Sequence, residues 1–302
     1  MKTSMHNEII YTNRDLLFVI LCFFSICTTV QADSLDVNYF ASRNIYRFAD
    51  YLYNEGDYLR AAGEFQRYLF AFDSLPPHAD SIFYKIGRCY GLGGNLLNAI
   101  DYFSRIIDRY PQSYLLDQSR YHIALSYSLM GRFEESTSLL YSDFPSIKQN
   151  DVKQKMEQLI ALNYIQQKKW NTAINFLDTL KTNNSQNILI KNFAEAGEQL
   201  PRKNKFLSGL FSTVIPGAGK VYSGRSWDGI FSFITIGLTG WQAYEGFRED
   251  GTHSIKGWIL GSISSIFYLG NIYGSVVAAQ IYNEQQEENL LNKLKLSINV
   301  NF

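Results

Sequence analysis

The sequence predicts an all-α fold, in which a solenoid of about four helix pairs is followed by a helical transmembrane hairpin. Two observations predict it. One spacing pattern of small, aromatic and turn residues occurs four times in the front part of the chain, and three apolar stretches follow it at residues 207–222, 229–244 and 258–282. The 302 residues suffice for two domains, and 28 basic residues balance 28 acidic ones, so the charge gives no indication of a nucleic-acid partner.

The first 32 residues have the pattern of a secretory signal peptide. Lys2 and Arg14 precede an apolar run at residues 16–27, and Val30-Gln31-Ala32 offers a small-residue cleavage site. The run is short for a membrane span, although an uncleaved anchor is the alternative. In both cases we expect the segment after it to lie outside the cytoplasm.

The repeated pattern predicts a helix–turn–helix unit in each copy, because its internal steps of three and four residues keep side chains on one helical face on either side of a turn. The first small residues lie at positions 49, 87, 124 and 161, which gives a period of 37 or 38 residues. The copies are Ala49/Leu52/Gly56/Tyr58/Ala61/Phe65, Gly87/Tyr90/Gly94/Leu96/Ala99/Phe103, Ala124/Tyr127/Gly131/Phe133/Ser136/Leu140 and Ala161/Tyr164/Lys168/Trp170/Ala173/Leu177.

This signature resembles that of the tetratricopeptide repeat, which the first three copies match nearly position for position. The fourth departs from it, with Lys168 at the turn glycine. The segment at residues 109–127 also resembles the Tyr-Pro-x-Ser junction of envelope repeat proteins, such as the outer-membrane assembly lipoproteins and the Tol-Pal coordinator. The resemblance implies a repeat domain at residues 33–200 that lies in the bacterial periplasm and binds a partner protein or peptide.

The tetratricopeptide resemblance also implies where a partner binds. In that family, the position three residues before the first small residue faces the concave groove, and three of the four copies have tyrosine there. Tyrosine offers a rigid face and a hydroxyl to a peptide at little entropic cost. The alternative is that these rings only pack between neighbouring helices. With charged neighbours one turn away, the predicted groove residues are Arg43, Tyr46, Asp50, Tyr84, Arg88 and Tyr121.

A membrane module is predicted at residues 201–282. The stretch at 258–282 is long enough to cross a bilayer, and the one at 229–244 has Trp227 and Trp241 near its ends, as the aromatic belts of membrane proteins do. The first stretch is interrupted by a Pro-Gly-Ala-Gly run, so we expect a re-entrant or interfacial helix there.

That interruption begins a specific element, Pro-Gly-Ala-Gly-Lys-Val-Tyr-Ser-Gly-Arg at residues 216–225. It resembles an element of poorly characterised bacterial membrane proteins and, more loosely, the core of the small two-transmembrane-helix domains; Lys220 stands where the former have Gln. The element lacks the Gly-Lys-Ser/Thr ending of a nucleotide-binding loop. We predict a tight turn with close backbone contacts. The motif residues are Pro216, Gly217, Gly219, Tyr222, Gly224, Arg225, Asp228 and Gly229.

The last apolar stretch has small residues at four-residue spacing, which lets transmembrane helices approach closely. Asn271, in mid-span, is predicted to form a hydrogen bond across the helix pair. The predicted packing residues are Gly257, Gly261, Gly270, Asn271 and Gly274, and a homo-oligomer through these helices is possible.

The orientation and the tail complete the organisation. Basic residues at 202–205 favour the cytoplasm, but an exported repeat domain outweighs them, so we place the loop at 248–256 in the cytoplasm.

The polar tail at 283–302 ends in strict apolar–polar alternation from Leu294 to Phe302, which is typical of a strand; edge pairing with a partner and a frayed tail are the alternatives.

No catalytic, metal or cofactor motif occurs in the sequence, and a cleaved chain would retain only Cys89, which we expect to be a buried thiol. We therefore predict that the protein is not an enzyme and needs no cofactor. The leading hypothesis is a repeat scaffold tethered to the bacterial inner membrane, with its repeats in the periplasm. The alternative is a component of a transport or protein-insertion assembly whose C-terminal helices oligomerise.

Overall fold

A computed structural model describes residues 41–71, 76–180 and 184–298. The predicted signal peptide at 1–32, with Cys22 and Cys27, lies outside these residues. The chain divides into two units, Met1–Leu75 and Pro76–Phe302.

In the first unit, helices α1 (Ser42–Asn54) and α2 (Tyr58–Phe70) form the first helix pair. The small and apolar residues of the repeated pattern are buried between the two helices, with Ala49 and Phe65 fully so. Tyr46 packs the edge of its ring on Phe65 and Tyr68, with ring centroids 5.7 and 5.4 Å away.

In the second unit, the other three copies of the pattern also form helix pairs, as predicted. Close packing depends on the small residues: a Cβ at Gly87 would lie 2.8 Å from the ring of Phe103 on the paired helix. A short 3₁₀ turn, Phe144–Ser146, leads into the last of these helix pairs. The pairs are α3 (Ala79–Leu92) with α4 (Leu96–Arg109), α5 (Leu116–Leu129) with α6 (Phe133–Asp143), and α7 (Asn150–Gln166) with α8 (Trp170–Thr179).

Each pair turns at the predicted position, where the backbone is left-handed. The φ angles are 82° at Gly56, 80° at Gly94, 79° at Gly131 and 60° at Lys168. In each copy the next amide donates to a carbonyl five residues earlier, as Arg132 N–H does to Tyr127 O at 2.9 Å. This is the Schellman ending that normally favours glycine. The fourth copy therefore adopts the same turn without one.

Helix α9 (Ser185–Glu198) was not predicted. It covers the last helix pair: Ile190 and Ala194 are buried in one cluster with Trp170 and Leu177. A Cβ at Gly197 would lie 2.4 Å from the Trp170 ring, so glycine is needed for this approach. A capping helix of this kind shields the apolar face that the last repeat would otherwise expose.

The remaining helices form the module at residues 201–298. Helices α12 (Ser226–Asp250) and α13 (Ile255–Ser297) pack side by side, joined by the 3₁₀ turn Gly251–His253. The shorter α10 (Lys205–Val214) packs on α13, and α11 (Ala218–Tyr222) contacts both long helices.

Among the described helices, α13 is the only one long and apolar enough to cross a membrane, with a mean hydropathy of 1.2 over its most apolar window. Helix α12 has 25 residues but does not meet the same criteria. Large apolar side chains are exposed on both helices. They include Phe231, Phe233, Ile234, Leu238, Trp241, Trp258, Ile259, Ile266, Phe267, Leu269 and Tyr273.

The predicted terminal strand is wrong for the residues that the structure describes. Helix α13 continues through Leu294 to Ser297, and only Ile298 beyond it is extended. The helix persists because Leu290, Leu291 and Leu294 pack on the core of the last repeat pair, which requires helical rather than alternating spacing. The tail is therefore the docked end of a 43-residue helix. Residues 299–302 lie outside the described part.

Candidate functional site

The glycines of the sequence motif bring backbone segments into direct contact. A Cβ at Gly219 would lie 1.8 Å from Ser208 O, and one at Gly217 would lie 2.0 Å from Gly229 O. Gly217 also has φ 88°, and Gly224 has φ 84°. At Gly217 and Gly219, no other residue fits without moving the backbone, and at Gly224 the left-handed backbone favours glycine. The motif therefore builds a tight α10–α11 hairpin against the start of α12.

Buried serine hydroxyls hold this hairpin against α13. Ser212 Oγ lies 2.6 Å from Ser275 Oγ and accepts a 2.9 Å hydrogen bond from the Gly219 amide. Ser208 Oγ lies 2.7 Å from Ser275 O and 3.1 Å from Ser223 Oγ. These serines were not predicted from the sequence. Their signal is Ser208 and Ser212 at i, i+4 in an apolar helix, which places both on one face.

Both ends of the hairpin lie at one level of the module. Asn204 accepts at its side chain from the first amides of α10, and its own amide donates to the Tyr222 hydroxyl at 3.2 Å. Asn283 of α13 exchanges two hydrogen bonds with the Lys203 backbone, at 2.7 and 2.9 Å. The chain thus enters along α10 and returns along α11 to the level at which it started.

A small cavity of about 280 Å³ opens beside the motif. Lys220 Nζ donates to Ser232 Oγ at 2.7 Å, and its side chain passes beside Gly274, where a Cβ would lie 3.4 Å from Cε. Arg225 and Asp228 form an ion pair at 2.5 Å. The lining residues are Lys220, Arg225, Asp228, Phe231, Ser232, Tyr273, Gly274 and Val277.

The predicted packing glycines have different surroundings. A Cβ at Gly257 would lie 2.8 Å from the Phe247 ring, which makes this a tight contact. Gly261 has only ordinary contacts, the nearest at 3.7 Å, and Gly274 faces Lys220. Gly270 has nothing within 4 Å among the described residues, so the predicted close contact is not formed there within this chain.

The predicted hydrogen bond of Asn271 across the helix pair is also wrong. The side chain is buried, yet neither its nitrogen nor its oxygen has a hydrogen-bond partner among the described residues. The nearby hydroxyl of Ser275 bonds instead to the Asn271 carbonyl and to Ser212. A buried amide without partners is energetically costly.

On the repeats, two of the predicted groove tyrosines surround a buried histidine. The Tyr84 hydroxyl lies 3.0 Å from His122 Nε2, and the His122 ring stacks on Phe103 with centroids 5.1 Å apart. The Tyr121 ring meets that of His122 edge-on at 5.3 Å. Burial, with smaller contributions from Arg88 and Lys155, lowers the pKa of His122 to about 3. The imidazole is therefore neutral at physiological pH.

The predicted groove residues are buried to different extents. Tyr121 lies largely within the protein, and this burial, followed by the proximity of Tyr84, raises the pKa of its hydroxyl to about 12. Tyr84 and Arg88 are half-buried, as are Tyr46 and Asp50 in the first unit, where Arg43 is exposed. The tyrosines thus pack between helices while part of each side chain is accessible. No pattern in the sequence marked His122 as their shared neighbour.

The end of α13 packs on the last repeat pair, where Leu294 is buried in one cluster with Leu162. Four leucines on the first helices of the last two repeat pairs lie beside this contact, and we call them the first-helix face: Leu125, Leu129, Leu159 and Leu162. Of these four, only Leu129 is exposed. Leu294 and Ile298 of α13 line, with these four leucines, a cavity of about 390 Å³. The cavity is mainly apolar, so it suits an apolar side chain.

Charged contacts hold the same helix to the repeat turn. Glu287 of α13 receives Lys168 Nζ at 2.5 Å and Arg202 at 3.5 Å. Within the described ranges, no group of three or more His, Cys, Asp or Glu side chains is arranged to hold a metal ion, and the Cys89 side chain is buried.

The comparison with known families agrees with this architecture. The tetratricopeptide repeat matches residues 82–113, which cover most of α3 and all of α4. No curated protein matches the chain significantly. The chain therefore contains a tetratricopeptide repeat within an all-helical fold, and such repeats generally mediate interactions between proteins.

Proposed function

We propose that this protein is a non-enzymatic scaffold of the bacterial envelope, anchored in the inner membrane by α12 and α13. Its repeats would lie in the periplasm and bind a partner protein or peptide. Repeat arrays present a continuous surface for recognition and need no catalytic residues for it.

One observation carries the proposal: α13 is continuous from the apolar segment to the repeat core. Its 43 residues correspond to about 65 Å of helix. The N-terminal part has mostly exposed apolar side chains, whereas Leu294 near the other end is only 2% exposed, inside the repeat core. A single helix would therefore fix the second-unit repeats to the bilayer rigidly, without a flexible linker.

The contacts of Glu287 with Lys168 and Arg202 support the proposed topology. If α12 and α13 both cross and the α10–α11 hairpin does not, the repeats and the end of α13 lie on one side of the membrane, which agrees with these contacts. Protease added to intact spheroplasts should then digest the region before residue 200. Protection of this region until the cells are lysed would contradict the proposed topology.

Partner binding can be tested by a matched pair of substitutions in the full-length protein. Leu129 on the first-helix face is 49% exposed, and Leu97 on the second helix of the preceding pair is 66% exposed. We expect Leu129→Glu to reduce the partners retrieved from envelope extract and Leu97→Glu to retain them. Equal retrieval by both variants would show that the first-helix face is not the binding surface.

Tyr84→Phe and Tyr121→Phe test the tyrosines separately, since they keep the rings and remove only the hydroxyls.

A transport or insertion device is the competing function. Vesicles containing the purified protein should not leak an entrapped dye if the protein is a scaffold, so leakage would favour the competing function.

A further inference from the structure

We propose that the cavity beside the glycine motif binds the phosphate of an anionic phospholipid, with Lys220 as its principal ligand. The proposal rests on the proposed membrane attachment. The cavity joins α11 to both long helices, and its lining combines two cationic side chains with apolar walls.

Lys220 has the properties of an anion ligand. Among the described residues, no carboxylate lies within ion-pair distance of its ammonium group, whose one side-chain hydrogen bond goes to Ser232 at 2.7 Å. An ammonium has three donors, so two remain for phosphate oxygens. The Ser232 hydroxyl is itself held in place, because its Oγ donates a hydrogen bond to the Asp228 carbonyl at 2.7 Å.

The charge of the cavity favours a singly charged anion. Arg225 is paired with Asp228 at 2.5 Å, which cancels one positive charge and leaves that of Lys220. A phosphodiester carries one negative charge, so it balances the cavity.

The apolar walls favour a lipid over a soluble phosphate. Phe231 is 72% exposed and Tyr273 is 73% exposed, and both lie at the cavity. Their rings continue into the exposed apolar surface of α12 and α13. A phosphodiester at Lys220 would therefore have its acyl chains along a surface that already favours hydrocarbon.

The variant Lys220→Gln tests the site, because glutamine keeps a polar side chain with hydrogen-bond donors but has no charge. The control is Lys205→Gln, whose ammonium contacts Gln280 at 3.4 Å outside the cavity. Full-length protein in neutral detergent, stripped of lipid, is titrated with short-chain phosphatidylglycerol and followed by native mass spectrometry. We expect Lys220→Gln to weaken binding about tenfold, as for one charge-assisted hydrogen bond, and Lys205→Gln to bind like the wild type.

Three results would overturn the proposal: equal affinity of the Lys220→Gln variant and the wild type, equal weakening by Lys205→Gln, or competition by inorganic phosphate at concentrations similar to those of the lipid. Short-chain phosphatidylcholine should bind more weakly than phosphatidylglycerol. Incorporation into phosphatidylcholine vesicles is measured separately. A variant that inserts normally but binds phosphatidylglycerol like the wild type would contradict the lipid site and leave the membrane attachment standing.

Discussion

Glu287 and Lys168 form an ion pair at 2.5 Å that joins the long helix α13 to the left-handed turn of the last repeat. The Glu287 side chain is only 14% exposed and also receives Arg202. The one repeat turn without glycine thus carries the lysine that fixes the end of α13. The departure of the fourth copy from the repeat signature therefore has a structural consequence.

The docking of α13 is expected to stabilise the repeats. Leu294→Ala removes a side chain buried in the repeat core, and we expect it to lower the free energy of unfolding by about 2–4 kcal/mol. Leu296→Ala is the control, because Leu296 is 90% exposed two residues further on, and its effect should stay within about 0.5 kcal/mol. Urea unfolding of the full-length protein in detergent measures both. Equal effects would show that α13 is not docked.

The left-handed turns give a second prediction. Gly131→Ala places a side chain at φ 79° and should cost about 1–2 kcal/mol. Gly63→Ala is the matched change within a helix, where a Cβ meets nothing within 4 Å, and it should stabilise by up to about 1 kcal/mol. The two unfolding free energies should therefore change in opposite directions. A stabilising Gly131→Ala would contradict the turn geometry.

His122 predicts a pH dependence of stability. Its pKa falls from 6.5 to about 3 in the folded state, so the unfolded chain binds the proton first as the pH decreases. The stability that the protein gains from keeping His122 neutral is fully present above pH 6.5 and is lost as the pH falls toward 3. At pH 5 the free energy of unfolding is lower by about 2 kcal/mol for this reason.

The variant His122→Gln, which does not titrate in this range, should lose less stability between pH 7 and pH 5 than the wild type. Tyr84→Phe is the control, because it removes the hydrogen bond to His122 and leaves the imidazole buried. It should lower stability at both pH values and keep the wild-type pH dependence. Identical pH dependence in His122→Gln and wild type would mean that His122 titrates normally.

The sequence predicted the elements whose residues form local patterns. The helix pairs follow from steps of three and four, and even the turn at Lys168 was located by its position in the repeat. Helix α9 was missed because its contact with Trp170 pairs residues distant in sequence. The strand prediction near Leu294 failed for a similar reason: alternation is a local signal, whereas the helix is maintained by packing on the repeat core.

The chemistry of the sites was less predictable. The motif glycines were identified from the sequence. The serines that bind the hairpin to α13 were not, because Ser212 and Ser275 are distant in the sequence and form their contact only in the folded protein. Asn271 shows the reverse, because a polar residue in an apolar stretch indicated a hydrogen bond that the neighbouring helices do not provide.

The last prediction concerns the motif hairpin itself. Gly219→Ala would place a methyl group 1.8 Å from the Ser208 carbonyl, which belongs to backbone that the serine network holds in place. The hairpin must move to accept it, so we expect a loss of about 1–3 kcal/mol in the detergent-solubilised protein. Gly237→Ala on α12 meets nothing within 4 Å and should be neutral or slightly stabilising. Thermal unfolding of the full-length variants provides the comparison. If Gly219→Ala melts at the temperature of Gly237→Ala, the glycines of the motif are not needed for close backbone packing, and the α10–α11 hairpin does not have the geometry described.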